Sequence, residues 1–300
     1  MEQKSNNIVD IHYQQTGEAS ATNELGMREM QAKAYEARQK RFLLIKAPPA
    51  SGKSRALMFI ALDKLAHQGL KRVVVAVPEK SIGRSFQNTR LMPYGFFADW
   101  TVAPYFNLTD VKNEKDKKGR FIEFFRQSRA KILVCAHATL RNSMKEIPDE
   151  DFNATLLAID EFHHTSADAN SNLGDVVRRV MNNSTGHIVA MTGSYFRGDG
   201  IPVLRVEDEA RFYPVTYNYY QQLNGYKYLK NLVLGYHFYH GNYLDHIREV
   251  LDTTKKTIIH IPSVNARAST GIGKYAETDE IMKAIGTVEQ KDYNTGIYHV

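Results

Sequence analysis

The sequence is poor in cysteine and has no long apolar segment, and each shortage excludes a class of protein. Among its 300 residues Cys135 is the only cysteine, so an internal disulfide and a cysteine-based zinc cluster are both excluded. Cys135 lies in an apolar run typical of a buried strand, which favours a small core residue over a reactive thiol. No apolar run approaches the length of a membrane span, and the polar first residues contain no signal-like segment. We therefore expect a cytoplasmic protein with no membrane partner.

The chain also lacks a strong excess of charge of either sign. Its formal net charge is +6, with 24% charged and 43% hydrophobic residues, which is ordinary for a globular protein. A chain of this length can bury one large α/β core or two smaller ones. The slight basic excess favours a polyanionic partner such as nucleic acid only weakly, because many enzymes are equally basic.

Short apolar runs recur along the first two thirds of the chain and alternate with helix-favouring segments. The runs predict strands at residues 42–45, 73–77, 131–135, 155–159 and 187–191, and the segments 24–39 and 53–67 favour helix. The apolar runs are continuous rather than alternating, as expected for strands that are covered on both faces. Strands separated by helices indicate βαβ units, and therefore an α/β fold with a parallel central sheet.

Changes in composition divide the chain further. We predict a flexible N-terminal segment, an α/β domain, a tyrosine-rich connector and a partial second α/β domain, at residues 1–23, 24–205, 206–254 and 255–300. The connector's uneven tyrosine spacing favours rings packed on the first domain over a platform for stacking bases. The last part is too short to close its own core, so we expect the chain to stop inside that domain. The charged stretch 112–120 predicts a solvated loop.

A phosphate-binding loop follows the first predicted strand. Residues 47–54 read Ala-Pro-Pro-Ala-Ser-Gly-Lys-Ser, and the predicted helix begins within them. In this order, backbone N–H groups and the positive end of the helix can surround phosphate groups. Gly52 allows close approach of the backbone, Lys53 would neutralise the β- and γ-phosphates, and the Ser54 hydroxyl would bind Mg²⁺. The candidate nucleotide-binding residues of the loop are Pro49, Ala50, Ser51, Gly52, Lys53 and Ser54.

Two acidic residues follow another predicted strand, 155–159. A carboxylate at the end of a parallel strand lies at the edge of the sheet where such folds bind ligands, beside the phosphate loop. We expect Asp160 to hold Mg²⁺ and Glu161 to orient and deprotonate the attacking water. His163 would then lie near the γ-phosphate. His163 and its histidine neighbour do not predict a zinc site, because no matching Cys or His pair accompanies them.

The sequence Asp160-Glu161-Phe162-His163 resembles the box of superfamily 2 helicases of the DEAD/DEAH type. The resemblance implies a RecA-like phosphate-loop NTPase domain, followed here by the beginning of a second RecA-like domain, with ATP and Mg²⁺ as cofactors. Ala47 replaces the first glycine of the general phosphate-loop pattern, as it often does in helicases.

Further segments carry the same resemblance. Arg28 and Gln31 match the R-x-x-Q segment ahead of the phosphate loop, which implies that Gln31 binds the adenine edge with support from Arg28. Thr192 and Ser194 match the [ST]-[AG]-[ST] motif, which couples nucleotide to strand binding. Lys80, Arg84 and Thr139 fall where the family contacts the nucleic-acid backbone.

The resemblance implies an ATP-dependent helicase or translocase that acts on nucleic acid. DNA is favoured over RNA because residues 160–164 and 191–199 look most like restriction-type and mobile-element helicases, and nuclease or restriction-type partner domains would fit. The family's arginine fingers lie late in the second domain, so we expect weak hydrolysis and no sustained unwinding by the chain alone. Two alternatives stay open. One is a nucleotide-dependent switch that binds nucleic acid without translocating. The other is a phosphate-loop kinase, against which the box at Asp160–His163 and the motif with Thr192 and Ser194 argue, because a kinase needs neither.

Overall fold

The computed structural model divides the chain into two units, one comprising Met1–Gln14 with Lys230–Val300 and the other comprising Gln15–Leu229. It describes residues 11–14, 22–78, 82–126, 129–164, 172–193, 203–224, 231–234, 240, 276, 280, 290–292 and 297–299. Within these residues, no helix is both long and apolar enough to span a membrane.

The described strands and helices have the following bounds. The strands are β1 (Ile11–Gln14), β2 (Phe42–Lys46), β3 (Arg72–Val77), β4 (Ile132–Ala136), β5 (Thr155–Ile159), β6 (His187–Thr192), β7 (Tyr213–Thr216), β8 (Asn231–Leu234), β9 (Gln290–Asp292) and β10 (Ile297–His299). The α-helices are α1 (Glu29–Glu36), α2 (Lys53–His67), α3 (Glu114–Arg126), α4 (His137–Met144), α5 (Asn172–Asn183), α6 (Val206–Glu209) and α7 (Tyr219–Asn224).

Six of the described strands form a parallel sheet in the order β4-β3-β5-β6-β2-β7. The five strands predicted from sequence are all in this sheet, with ends that differ from the prediction by at most one residue. The core of the sheet is covered on both sides, since all five residues of β5 are buried. The α/β fold with a parallel central sheet is therefore confirmed.

The side chains of one strand alternate between two hydrophobic cores. Leu43 and Ile45 of β2 belong to the core formed with α1 and α2, whereas Phe42 and Leu44 belong to the core formed with α3, α4 and α5. This alternation follows from the period of two residues in a strand. The sheet therefore lies between two helical layers, and the ends of its strands are left free to form a site.

The first helix is shorter than the sequence predicted. The Asn23 side chain accepts hydrogen bonds from the backbone N–H groups of Leu25 and Met27, and Gly26 has a left-handed φ of 72°. These residues form a turn, so the helix begins only at Glu29. Asparagine favours such turns because its side chain bonds nearby backbone groups, and glycine because it adopts a positive φ without steric cost. The same properties make both residues unfavourable in helix interiors.

The prediction of a solvated loop at residues 112–120 is wrong, because α3 occupies residues 114–126. Three phenylalanines, Phe121, Phe124 and Phe125, are at most 2% exposed and anchor the helix in the core. Lys117, four residues before Phe121, is also buried at 2% exposure. The dense charge of the first turns concealed an amphipathic helix whose apolar face lies mainly in its second half.

The sheet continues past residue 205, where we placed the end of the first domain. β7 lies beside β2, with Tyr213 opposite Leu43 and Thr216 opposite Lys46. The first part of the predicted connector is therefore the edge strand of the sheet. Tyr217 is 7% exposed and packs in the core, as expected for the connector's rings, whereas Tyr219 and Tyr220 are exposed. The other tyrosines of this segment lie outside the described residues.

Two short antiparallel pairs belong to the other unit. β1 pairs with β8 and β9 with β10. Residues 11–14 were expected to be part of a flexible segment, but they alternate in polarity and pair with four residues of β8. The strand predicted at residues 256–261, on which the partial second domain depended, lies outside the described residues.

Candidate nucleotide-binding site

The candidate residues meet at the carboxyl edge of the sheet. β2, β5 and β6 are parallel, with Lys46 opposite Thr192 and Ile159 opposite Ala190. The phosphate loop follows β2, the acidic pair follows β5, and Gly193 follows β6. Sequence-distant residues are therefore brought together because each comes directly after a neighbouring strand.

The phosphate loop depends on two left-handed residues. Gly52 forms the N-cap of α2 with a φ of 91°, and Ala50 has a φ of 61°. A Cβ atom on Gly52 would lie 2.5 Å from Gln31 Nε2, the movable end of a side chain, so it is the left-handed φ that requires glycine there. A non-glycine residue in this region of φ is uncommon and occurs often at ligand-binding sites.

Lys53 lies between the loop and the acidic pair. Its Nζ donates hydrogen bonds to the carbonyl oxygens of Ala47 at 3.0 Å and Pro48 at 3.1 Å, and the residue is 8% exposed. Burial lowers the pKa of Lys53, while the carboxylates of Glu161 and Asp160 act in the opposite direction. A buried cation that faces two anions and donates to two backbone carbonyl groups is placed to bind phosphate oxygens.

Asp160 is the most buried acid of the site, at 5% exposure. Burial and the Glu161 carboxylate raise the pKa of Asp160 to about 6. Its Oδ1 accepts a hydrogen bond from Glu161 N at 2.9 Å, and its backbone N–H donates to Ala76 O at 2.9 Å. Two backbone contacts thus fix Asp160 in place, and its buried carboxylate lies near the charges of Lys53 and Glu161, where it can serve as a metal ligand.

His137 supports the same residue and was missed by the sequence analysis. Its Nε2 donates to the Asp160 carbonyl oxygen at 3.0 Å, and the residue is 7% exposed. His137 is the first residue after β4, at the same edge of the sheet. That position could have identified it, but a single histidine after a strand does not reveal its partner.

Glu161, His163 and Thr192 form a connected group. His163 Nδ1 lies 3.0 Å from Thr192 Oγ1 and 3.3 Å from Glu161 Oε2. Thr192 is fully buried, and Glu161 has a left-handed φ of 48°. The structure therefore joins the predicted water-activating acid to the predicted coupling threonine through one imidazole. Ser194, the second predicted coupling residue, lies outside the described residues.

Gln31 and Arg28 lie at the start of α1, beside the phosphate loop. The Gln31 Oε1 accepts from Arg28 N at 2.9 Å, and Nε2 donates to Gly52 O at 3.2 Å. Gln31 is 2% exposed. Its amide is thus bonded to the loop in this structure, and the second N–H and the second oxygen lone pair of the amide are the groups with which it could bind an adenine edge.

Of the three predicted nucleic-acid contacts, the structure describes Arg84 and Thr139. Lys80 lies outside the described residues, and Arg84 is exposed. Thr139 is 4% exposed, so little of the residue is accessible to a nucleic acid. Thr139 faces inward because it lies on the side of α4 that carries the buried Leu140 and Ser143.

The loop and acids fit ATP and Mg²⁺. Ser51 Oγ is buried and has no hydrogen-bond partner among the described residues, as expected for a group that a phosphate satisfies. Ser54 is half-buried in the first turn of α2. Within the described residues, no three His, Cys, Asp or Glu side chains converge as a metal-ligand group. Mg²⁺ needs no such group, because it binds one or two protein ligands together with phosphate oxygens and waters.

The parallel sheet, the phosphate loop and the acidic pair define a RecA-like domain, and the motifs that it carries are those of superfamily 2 helicases. The family model described as "Type III restriction enzyme, res subunit" matches residues 12–197. The chain therefore belongs to this family.

Individual relatives agree with that assignment. The Bacillus subtilis (strain 168) protein named "Putative ATP-dependent helicase YeeB" is 58% identical over 294 residues, which are 98% of this chain and 49% of that protein. The chain thus spans about half the length of this relative.

Two solved structures are also similar. The helicase domain of Pyrococcus furiosus Hef has a TM-score of 0.45 at 19% identity, covering 63% of this chain and 38% of that one. The DUF1998 helicase MrfA bound to DNA has a TM-score of 0.47 at 12% identity, covering 73% of this chain and 33% of that one.

Proposed function

We propose that the chain binds and hydrolyses ATP as part of a helicase or translocase that acts on nucleic acid. The observation that carries the proposal is the arrangement of Lys53 against Asp160 and Glu161, with His163 joining Glu161 to Thr192. A module that only binds nucleotide needs Lys53 to hold the phosphates. It does not need Glu161, a carboxylate that is connected through a histidine to Thr192. The name of the Bacillus subtilis relative supports the same activity.

Each residue has a role that follows from its chemistry. Lys53 leaves the Ala47 and Pro48 carbonyls and binds the phosphates, where its charge stabilises the transition state. Glu161 accepts a proton from the water that attacks the γ-phosphorus, and the bond to the leaving ADP oxygen breaks. Ser54 and Asp160 would hold Mg²⁺, which neutralises charge on the phosphate oxygens when bound.

We further propose DNA as the nucleic acid, in a protein that also contains restriction-type partner domains or subunits. The family description supports the restriction context, and the formal net charge of +6 is compatible with a polyanionic partner.

The test is phosphate release from Mg-ATP, measured without nucleic acid and with single-stranded DNA, duplex DNA or RNA. We expect slow basal hydrolysis that DNA stimulates. Glu161→Gln is expected to reduce turnover by about 10²–10⁴-fold while nucleotide still binds, because only the base is removed. Glu150→Gln, an exposed acid on the same protein, is the matched control and should hydrolyse normally.

Other outcomes identify the two alternatives. Tight nucleotide binding and nucleic-acid binding without any turnover would indicate a switch that does not translocate. Transfer of the phosphoryl group to a small acceptor instead of water would indicate a kinase. Turnover by Glu161→Gln at the unsubstituted rate would refute the assignment of the base.

A further inference from the structure

The segment that follows β7 lies at the same edge of the sheet as the phosphate loop. β7 is parallel to β2, so both strands end at that edge. Tyr217 N donates to Lys46 O at 2.8 Å and continues the ladder by one residue. The chain then turns into α7, which is therefore a close neighbour of the loop that follows Lys46.

One side chain of α7 contacts the loop directly. Gln222 Nε2 donates a hydrogen bond to the Pro49 carbonyl oxygen at 2.9 Å. From the other side, a Cβ atom on Gly193 would lie 3.4 Å from Pro49 Cδ and 3.7 Å from Lys53 Nζ. Pro49 is thus placed between the end of β6 and α7, and its carbonyl is bonded by the latter.

This contact fixes more than one atom of the loop. The carbonyl of Pro49 and the N–H of Ala50 belong to the same peptide group, which is planar and has the two bonds pointing in opposite directions when trans. Holding the carbonyl therefore fixes the direction of the Ala50 N–H, one of the loop's phosphate-binding donors. Ala50 also has a left-handed φ of 61°, a conformation that needs support from its surroundings.

The same segment is bonded to α1, the helix that carries Gln31. Lys33 Nζ donates to Thr216 O at 2.9 Å, and the Tyr217 hydroxyl donates to Glu29 Oε2 at 3.2 Å. Helix α1 in turn contacts the phosphate loop, because Gln31 donates to Gly52 O. Residues 216–222 are therefore bonded to α1 and, through Tyr217 N and Lys46 O, to β2, the strand that leads into the loop. Along the chain, these residues precede Lys230–Val300, the longer segment of the other unit.

We propose that Gln222 is a positioning residue of the phosphate loop, which holds the Pro49–Ala50 peptide and couples α7 to nucleotide binding. The inference rests on the proposed function, because it requires the loop to bind a nucleotide. Phosphates must draw Lys53 away from Ala47 and Pro48, next to the peptide that Gln222 holds. Any change in this contact on binding is reciprocal, so α7 in turn alters nucleotide affinity.

The first test separates the contact from the helix. Gln222→Met keeps the length of the side chain and removes its donor, and Gln222→Lys restores a donor. Gln221→Met is the matched control: it removes the Oε1 that accepts from Asn218 N at 3.0 Å and so weakens α7 without touching Pro49.

We measure affinity for Mg²⁺ with a non-hydrolysable ATP analogue by calorimetry, and the unfolding temperature without nucleotide. Gln222→Met should bind about three- to tenfold more weakly, the effect of one hydrogen bond, and Gln222→Lys within about twofold of the original. An equal loss in Gln221→Met, or a loss matched by lower stability without nucleotide, would overturn the inference, since the helix and not the contact would then be responsible.

The second test measures the coupling. Tyr219 is 57% exposed on α7 and Cys135 is fully buried, so Tyr219→Cys provides the accessible thiol for an environment-sensitive dye. We expect the analogue to change the fluorescence, and Gln222→Met at saturating analogue to reduce that change severalfold. An unchanged response in Gln222→Met would refute the inference alone. Failure of the unsubstituted chain to bind the analogue would refute the proposed function.

Discussion

At the scale of the residue, the phosphate loop keeps a polar atom in an environment that costs stability. Ser51 Oγ is buried with no partner among the described residues, and an unpaired buried hydroxyl costs about 1–3 kcal/mol. Ser51→Ala should therefore raise the free energy of unfolding of the nucleotide-free protein by about 1 kcal/mol. It should also reduce the stabilisation by Mg²⁺ and a non-hydrolysable ATP analogue. Urea denaturation with and without the analogue measures both effects.

Ser143 provides a matched control for this prediction. Its hydroxyl is likewise buried without a partner among the described residues, but it lies in α4 and not in the loop. Ser143→Ala should stabilise the protein and leave the effect of the nucleotide unchanged. If both variants, or neither, lose nucleotide stabilisation, Ser51 has no specific role.

Asp160 is a second residue whose placement costs stability. Its pKa of about 6 in the folded state lies above the ordinary 3.8, so the folded state gains stability from protonation at low pH and loses it as the pH rises through about 6. Asp160→Asn keeps an oxygen for Glu161 N and removes the charge. We expect it to raise the free energy of unfolding at neutral pH by about 1–3 kcal/mol, in chelator and without nucleotide, and to abolish phosphate release. A decrease in stability would contradict the argument.

The residues that sequence could predict at this scale share one property: each lies at or shortly after the end of a strand, or opens a helix. Lys53, Asp160, His163 and Thr192 are of this kind, and the structure brings them to one edge. Gln222 is different, because its contact with the loop joins residues 173 positions apart. Nothing in the pattern of an isolated glutamine indicates which backbone carbonyl it will bind.

At the scale of the element, sequence patterns failed where two signals competed. The charges of residues 112–120 suggested a loop, but helix α3 is held by Phe121, Phe124 and Phe125 beyond that stretch. Tyr213–Thr216 contains Pro214, which argues against a strand in the interior of a sheet. β7 is an edge strand bonded to β2 alone, and there a residue without an N–H is tolerated.

The helical state of α3 can be tested at Gly119. This residue lies in the helix, and a Cβ atom placed on it would meet no atom within 4 Å. Gly119→Ala should therefore raise the free energy of unfolding by about 0.5–1 kcal/mol, because alanine loses less backbone entropy in a helix. Thermal and urea denaturation measure the change. Lys115→Ala, at an exposed position of the same helix, should change stability by about 0.5 kcal/mol or less. No gain in Gly119→Ala would favour the loop.

At the scale of the whole molecule, the two edges of the sheet have different roles. The carboxyl edge carries the candidate site, and the amino edge holds a buried polar network. Lys64 is fully buried, and its Nζ lies 3.0 Å from Lys40 O, 3.1 Å from Gln68 Oε1 and 2.9 Å from His187 Nδ1. Burial lowers the pKa of Lys64 to about 8, and burial with the nearby Lys64 charge lowers the pKa of His187 to about 4.

The two edges therefore respond to acid with opposite signs. His187 has a pKa of about 4 in the folded state against an ordinary 6.5, so the unfolded state takes up the proton first and stability decreases as the pH falls from 6.5 to 4. Asp160 gains its proton in the folded state first, so its contribution increases over nearly the same range. In the unsubstituted protein these contributions oppose each other, and removing either group should expose the other.

We expect Asp160→Asn to lose stability more steeply than the unsubstituted protein as the pH falls from about 6.5 to 4.5, and His187→Gln to lose it less steeply. Urea denaturation at several pH values in this range, without Mg²⁺ or nucleotide, gives the slopes. The double variant should return towards the original slope, because the two groups lie at opposite edges and distant effects are additive. If the slope of unfolding free energy against pH changes in the same direction in both single variants, the acid response arises from other groups of the chain. His187 would then not oppose the pH dependence of Asp160.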